Sequence, residues 1–101
     1  MPETYRIRYT LRAADHLREI FDYIERDSPR NATRMIERLL IAIDSLDTMP
    51  HRYNVVKNTA QLGEDVRSML IRPYFIRYHV DERERVVTIL SVRHSAREPG
   101  L

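Results

Sequence analysis

The sequence predicts an α+β fold in one domain over residues 1–101: a strand, an antiparallel helical hairpin, then a three-stranded antiparallel meander. Three observations carry that prediction. Two runs with a helical apolar period flank a Ser28-Pro29 break. Three runs of strand character, 66–71, 75–80 and 86–94, follow one another with short turns between them. One alternating run, 5–10, stands alone before the helices. A meander leaves one sheet face to be covered, and a helical hairpin is the layer available to cover it.

In residues 5–10, Tyr5, Ile7 and Tyr9 alternate with Arg6 and Arg8, the pattern of a half-buried strand. Thr10 suits the cap of a helix over 11–26. Leu17, Ile20, Phe21 and Ile24 recur at i, i+3, i+4 and i+7 and make its apolar face. Proline disfavours helix in the residue before it, so Ser28-Pro29 ends that element. Serine is a favoured N-cap and proline a favoured first helical residue, so the same dipeptide opens a second helix, predicted over 29–49. Its stripe is Ala32, Ile36, Leu39, Leu40, Ile43 and Leu46, with Met35 beside it, and Pro50 closes it. Leu17, Phe21, Ile24, Ile36, Leu39, Leu40 and Ile43 form the expected helical half of the core. Residues 50–65 show no firm period and read as a connecting loop, with room for a short strand at 53–56. Loops of that length in small domains are often functional. Val66 to Val80 then reads as strand, reversal at Arg72-Pro73-Tyr74, and returning strand. The charged loop 81–85 leads to the last strand, and 95–101 reads as an irregular tail.

No cysteine is present, so neither a disulfide nor a cysteine-bound metal is expected, and a reducing cytoplasm suits the chain. No apolar run reaches the ~18–20 residues of a membrane span. Nothing at the N-terminus reads as a signal peptide. The expected location is cytoplasmic, with no membrane partner. Charge is uneven. Residues 11–50 hold six basic and eight acidic side chains; residues 51–101 hold nine basic and six acidic. Every basic residue but Lys57 is arginine, whose planar fork suits phosphates, carboxylates and aromatic faces. The histidines, at 16, 51, 79 and 94, are not spaced as zinc ligands, and the two glycines make no phosphate loop. No cofactor or metal is expected. No helix carries a basic stripe, so sequence-specific DNA binding by the chain itself is not expected.

The Ser28-Pro29 break, the block from Val66-Arg67 through Arg72-Pro73-Tyr74-Phe75-Ile76-Arg77-Tyr78, and the terminal Val92-Arg93-His94-Ser95-Ala96-Arg97 resemble, in that order and spacing, the RelE/ParE superfamily of type II toxin–antitoxin toxins. The ParE, or plasmid-stabilisation, branch is the more similar. The resemblance implies a small toxin held inactive by a cognate antitoxin. It leaves two targets open: DNA gyrase, inhibited by binding, or messenger RNA on the ribosome, cut by RelE-type nuclease chemistry.

That nuclease chemistry uses basic side chains around a scissile phosphate. The family pattern has two lysines on the strand before the reversal, an arginine after its tyrosine, a second arginine after the last strand and a tyrosine in the tail. This sequence has Val66, Ser68, Phe75 and Ser95 at those points, and no tyrosine after Tyr78. The resemblance therefore implies a binding toxin rather than an enzyme. Were it a nuclease, His94, Arg93 and Arg67 are the candidate catalytic groups. The expected surface for target and antitoxin is Arg67, Arg72, Arg77, Arg93, His94 and Arg97, with Arg67 and Arg77 projecting from neighbouring strands. His79 reads as a sheet-face residue, and His16 and His51 receive no role.

Overall fold

The computed structural model describes residues 4–57 and 65–97. Strand β1 (Arg6–Tyr9) is followed by helices α1 (Leu11–Glu25) and α2 (Pro29–Asp44), then by strands β2 (Val66–Ile71), β3 (Tyr74–Asp81) and β4 (Val86–His94). Short 3-10 turns occupy Ser45–Asp47, Pro50–Arg52 and Ser95–Arg97. The predicted α+β order is the observed one. The sheet runs β1-β4-β3-β2, with the meander antiparallel and β1 parallel to β4.

Local chemistry sets the helix starts. Thr10 Oγ1 accepts from the Ala13 N–H at 3.0 Å, and Ser28 Oγ accepts from Asn31 at 3.2 Å, each satisfying an otherwise orphaned donor. Pro29 sits in the first turn of α2, where it gives up no hydrogen bond. The far end of α2 departs from the predicted run to Met49: the α-helix stops at Asp44. Met49, before Pro50, stands in the left-handed region at φ 52°, which breaks the helical path. Arg52 then fastens the tightened chain, donating to the Ser45 and Thr48 carbonyls at 3.4 and 3.3 Å and to Ser45 Oγ at 2.6 Å. These bonds turn the chain back toward β1, where the Tyr5 N–H donates to the Asp47 carbonyl at 2.8 Å. Of the proposed strand at 53–56, only an isolated bridge between Val55 and Arg67 forms. Residues 58–64 of the expected loop, and residues 98–101 of the expected tail, lie outside the described residues.

The core lies between the helices and one face of the sheet. Ile20, Leu39, Ile43 and Leu46 pack against Met69, Ile76, Tyr78, Val87, Ile89 and Val92. Leu39 and Ile43 are fully buried as expected; Leu17, Phe21, Ile24 and Ile36 are half-buried. Leu40 is the correction, 36% exposed because the apolar stripe of α2 is centred on Ala32, Leu39 and Ile43. The Tyr78 hydroxyl donates to the Pro50 carbonyl at 2.6 Å inside the core, and burial pushes its pKa up to about 12. On β4, Ile89 and Val92 are both buried although they stand three positions apart, with two residues between them. The register explains this: Arg77 pairs with Ser91 but Tyr78 pairs with Ile89, so Leu90 is an extra residue that resets the alternation. No helix among the described residues is long and apolar enough to cross a membrane.

Candidate functional site: the bare sheet face and the end of β4

Residues paired across an antiparallel sheet share a face, so the register sorts the predicted surface directly. Arg77 lies in line with Ser91 and Ser68, and Arg93 in line with Phe75 and Leu70, on the face away from the helices. Arg67 lies in line with Tyr78, on the helix-facing side. Arg67 and Arg77 thus project from neighbouring strands to opposite faces, which corrects the expectation that they act together. Arg67 donates to the Tyr53 carbonyl at 2.7 Å and to the His51 carbonyl at 3.2 Å, tying the chain after α2 to β2. Arg72 is exposed at the β2–β3 reversal. His94 lies in line with Tyr74, edge-on to its ring with centroids 5.5 Å apart, and its Nδ1 accepts from the Ala96 N–H at 3.1 Å. Arg97 falls in the turn that follows.

The three candidate nuclease groups do not converge. Arg93 and His94 are consecutive strand residues and so point to opposite faces. Arg67 is two strands away, bound to loop carbonyls. Val66, Ser68 and Phe75, neutral where the superfamily's nucleases are basic, all lie on the bare face.

The structure adds residues that the sequence reading left out. Because β1 runs beside β4 with Arg6 opposite Val86 and Arg8 opposite Thr88, both N-terminal arginines join the bare face. Their outward alternation is visible in the sequence; the strand they pair with is not. His79 lies in line with Thr88 on the same face. On the helix side, an open groove of about 620 Å³ separates α1 from the end of β4, lined by His16, Glu19, Tyr23, Arg26, Tyr74 and His94 among others. His16 has a role there. Since β1 ends at Tyr9, the edge of β4 beyond Ile89 has no strand partner on that side. Thr10 Oγ1 covers the Ile89 and Leu90 carbonyls at 3.1 and 3.2 Å, and His16 Nδ1 accepts from the Val92 N–H at 3.1 Å. An accepting Nδ1 requires a neutral ring. Burial lowers the His16 pKa, with the Arg93 charge acting in the same direction.

A strand, a helical hairpin and an antiparallel meander in a four-stranded mixed sheet make the α+β architecture of RelE/ParE toxins. The chain superposes on the ParDE toxin–antitoxin system of P. aeruginosa with a TM-score of 0.73 at 16% identity, covering 91% of this chain and 97% of that one. It superposes on the archaeal RelE–RelB complex of Pyrococcus horikoshii with a TM-score of 0.67 at 19% identity, covering 94% and 99%. In sequence it is 43% identical over 89 residues to Toxin RelE2 of Caulobacter vibrioides, covering 88% of this chain and 93% of that relative. Residues 7–99 match the family described as the ParE toxin of the type II toxin–antitoxin system parDE, and the chain belongs to that family of toxins.

Proposed function

We propose that this toxin acts in the cytoplasm by binding and inhibiting DNA gyrase, and that a cognate antitoxin neutralises it by direct contact. The observation that carries a binding rather than a catalytic mode is the dispersal of Arg67, Arg93 and His94 over two faces and well-separated strands. Phosphoryl cleavage requires charged groups gathered on one phosphate. Inhibition by binding requires only a complementary surface. In our reading Arg77 and Arg93 on the bare face, Arg72 at the β2–β3 reversal, and His94 and Arg97 around the end of β4 form a surface that wraps the strand end, and Arg67 supports it by holding the chain after α2 in place.

The antitoxin reading draws on the hairpin. On the hairpin Leu11, Tyr23 and Ile41 are 87%, 68% and 71% exposed, and in our reading a partner covers them. An acidic, amphipathic antitoxin segment would order on this surface and set its acidic side against the arginines at the end of β4. Arg93→Ala and Arg97→Ala test the reading. Each variant should keep the circular dichroism spectrum of the parent and lose affinity for immobilised gyrase, by about 1–4 kcal/mol if the side chain is a hot spot. Unchanged affinity in both variants would remove these arginines from the target surface.

A further inference from the structure

The bare sheet face carries a second feature. In register order its rows read Arg93–Phe75–Leu70, Ser91–Arg77–Ser68, Arg8–Thr88–His79–Val66 and Arg6–Val86–Asp81. Four arginines and the hydroxyls of Thr88 and Ser91 therefore share one surface, while Ser68 Oγ and Arg77 Nε are buried at its base. At ~4.8 Å between strands, the four strands place them across roughly 14 Å. Arg77 has a serine hydroxyl level with it on each side. Arg8 is level with the Thr88 hydroxyl and the His79 ring. Arg6 and Arg8 are exposed, and the Arg6 N–H donates to the Arg85 carbonyl at 2.9 Å while neither guanidinium group makes a hydrogen bond or ion pair among the described residues. They line a shallow depression with His79 and Thr88, closed at its lower edge by Asp81 and Glu84. Asp81 Oδ1 is already occupied there, accepting from the Arg83 and Glu84 N–H groups at 3.0 and 3.1 Å.

From this juxtaposition we infer that the bare face is a non-sequence-specific site for the phosphate backbone of duplex DNA, with Arg6, Arg8, Arg77 and Arg93 as its cations and Thr88 and Ser91 as neutral donors. The pairing of guanidinium and hydroxyl donors is what phosphate oxygens take up, and such contacts position a protein on DNA without reading bases. A folding peptide partner needs apolar anchors; the most exposed large apolar side chains, Leu11, Tyr23 and Ile41, are on the helices, and the bare face offers only Leu70 at 39% exposure at its β2 edge. Single-stranded nucleic acid needs a platform of aromatic rings for its bases. Phe75 is the one aromatic residue besides the His79 ring in these rows. Duplex DNA presents phosphates and keeps its bases stacked, which matches a face with many donors and little aromatic surface. The inference deepens the gyrase reading and rests on it for its setting: the duplex would be the DNA that gyrase holds, so the toxin would contact enzyme and DNA together.

The test measures the anisotropy of a labelled 20-base-pair duplex of arbitrary sequence with the purified full-length toxin and no gyrase. Four phosphate contacts predict a slope of about −3.6 in log K against log salt, which is a loss of about 100-fold between 50 and 200 mM. Arg8→Ala and Arg77→Ala should each reduce the slope by about 1 on every sequence tried, while Arg30→Ala on the exposed start of α2 leaves it unchanged. Absence of binding at 50 mM salt would overturn the inference, as would an equal loss in Arg30→Ala. So would preference for poly-glutamate or single-stranded RNA over the duplex. Supercoiling assays with the same variants separate the two ideas. Duplex binding without inhibition of gyrase would retire the gyrase reading and leave the site standing. Inhibition without duplex binding would do the reverse.

Discussion

His16 shows how much one side chain can hold. It accepts from a strand N–H that has no strand partner and so seals the edge of β4 above Thr10. Its folded-state pKa lies below the ordinary histidine value, so the unfolded chain binds the proton first. The sign follows: the stabilisation is complete above the ordinary pKa of ~6.5 and is lost as pH falls through the lower folded value. Urea midpoints should fall between pH 7.5 and pH 5 more steeply in the parent than in His16→Asn, which keeps an acceptor without titrating; parallel curves would contradict the role. Nothing in the sequence around His16 announces it, because its partner is 76 residues away. Arg67 was misread for a related reason. In Val66–Ile71 both alternating sets contain apolar residues, so the period does not say which set faces the helices. Leu39, at the centre of an unambiguous stripe, is fully buried as read. Leu39→Ala should cost about 2–5 kcal/mol in chemical denaturation. A loss well under 1 kcal/mol would place the core elsewhere.

At the scale of elements, what is local was legible and what is pairwise was not. Ser28-Pro29 specifies both the end of α1 and the start of α2 through backbone sterics and one capping bond, so the hairpin could be read from two residues. Ser28→Ala should lower stability by about 1 kcal/mol with no change of fold. An equal loss from Ser28→Asp, which can also cap, would argue against a capping role. The meander was legible because its turns are short. The place of β1 was not, since an alternating run states which residues face inward but not which strand lies beside it. Its parallel seat on β4 carries Arg6 and Arg8 to the bare face, and that is why the sequence reading of the cationic surface began only at Arg67. The early stop of α2 likewise depends on distant partners, Tyr5 and Arg52, that draw Ser45–Asp47 out of helical register.

The whole molecule divides its chemistry by face. The helical side displays uncovered apolar side chains and the groove beside His94; the sheet side displays arginines and hydroxyls. In our reading the antitoxin covers the helical side and reaches the end of β4, where it overlaps the target surface. Co-expression with a cognate antitoxin should give a single complex on gel filtration, and separate elution of the two chains would contradict the exposed apolar side chains of the hairpin as an antitoxin site. The family was legible from three motifs in order, while the target was not, because the two branches share the fold and differ in a few side chains. The direct test of the central claim gives the purified toxin to gyrase and to translating ribosomes in parallel. Supercoiling should be inhibited, or cleaved DNA trapped, while ribosome-bound message stays intact. Message cleaved at the ribosome, with cleavage abolished by His94→Ala, would contradict the account.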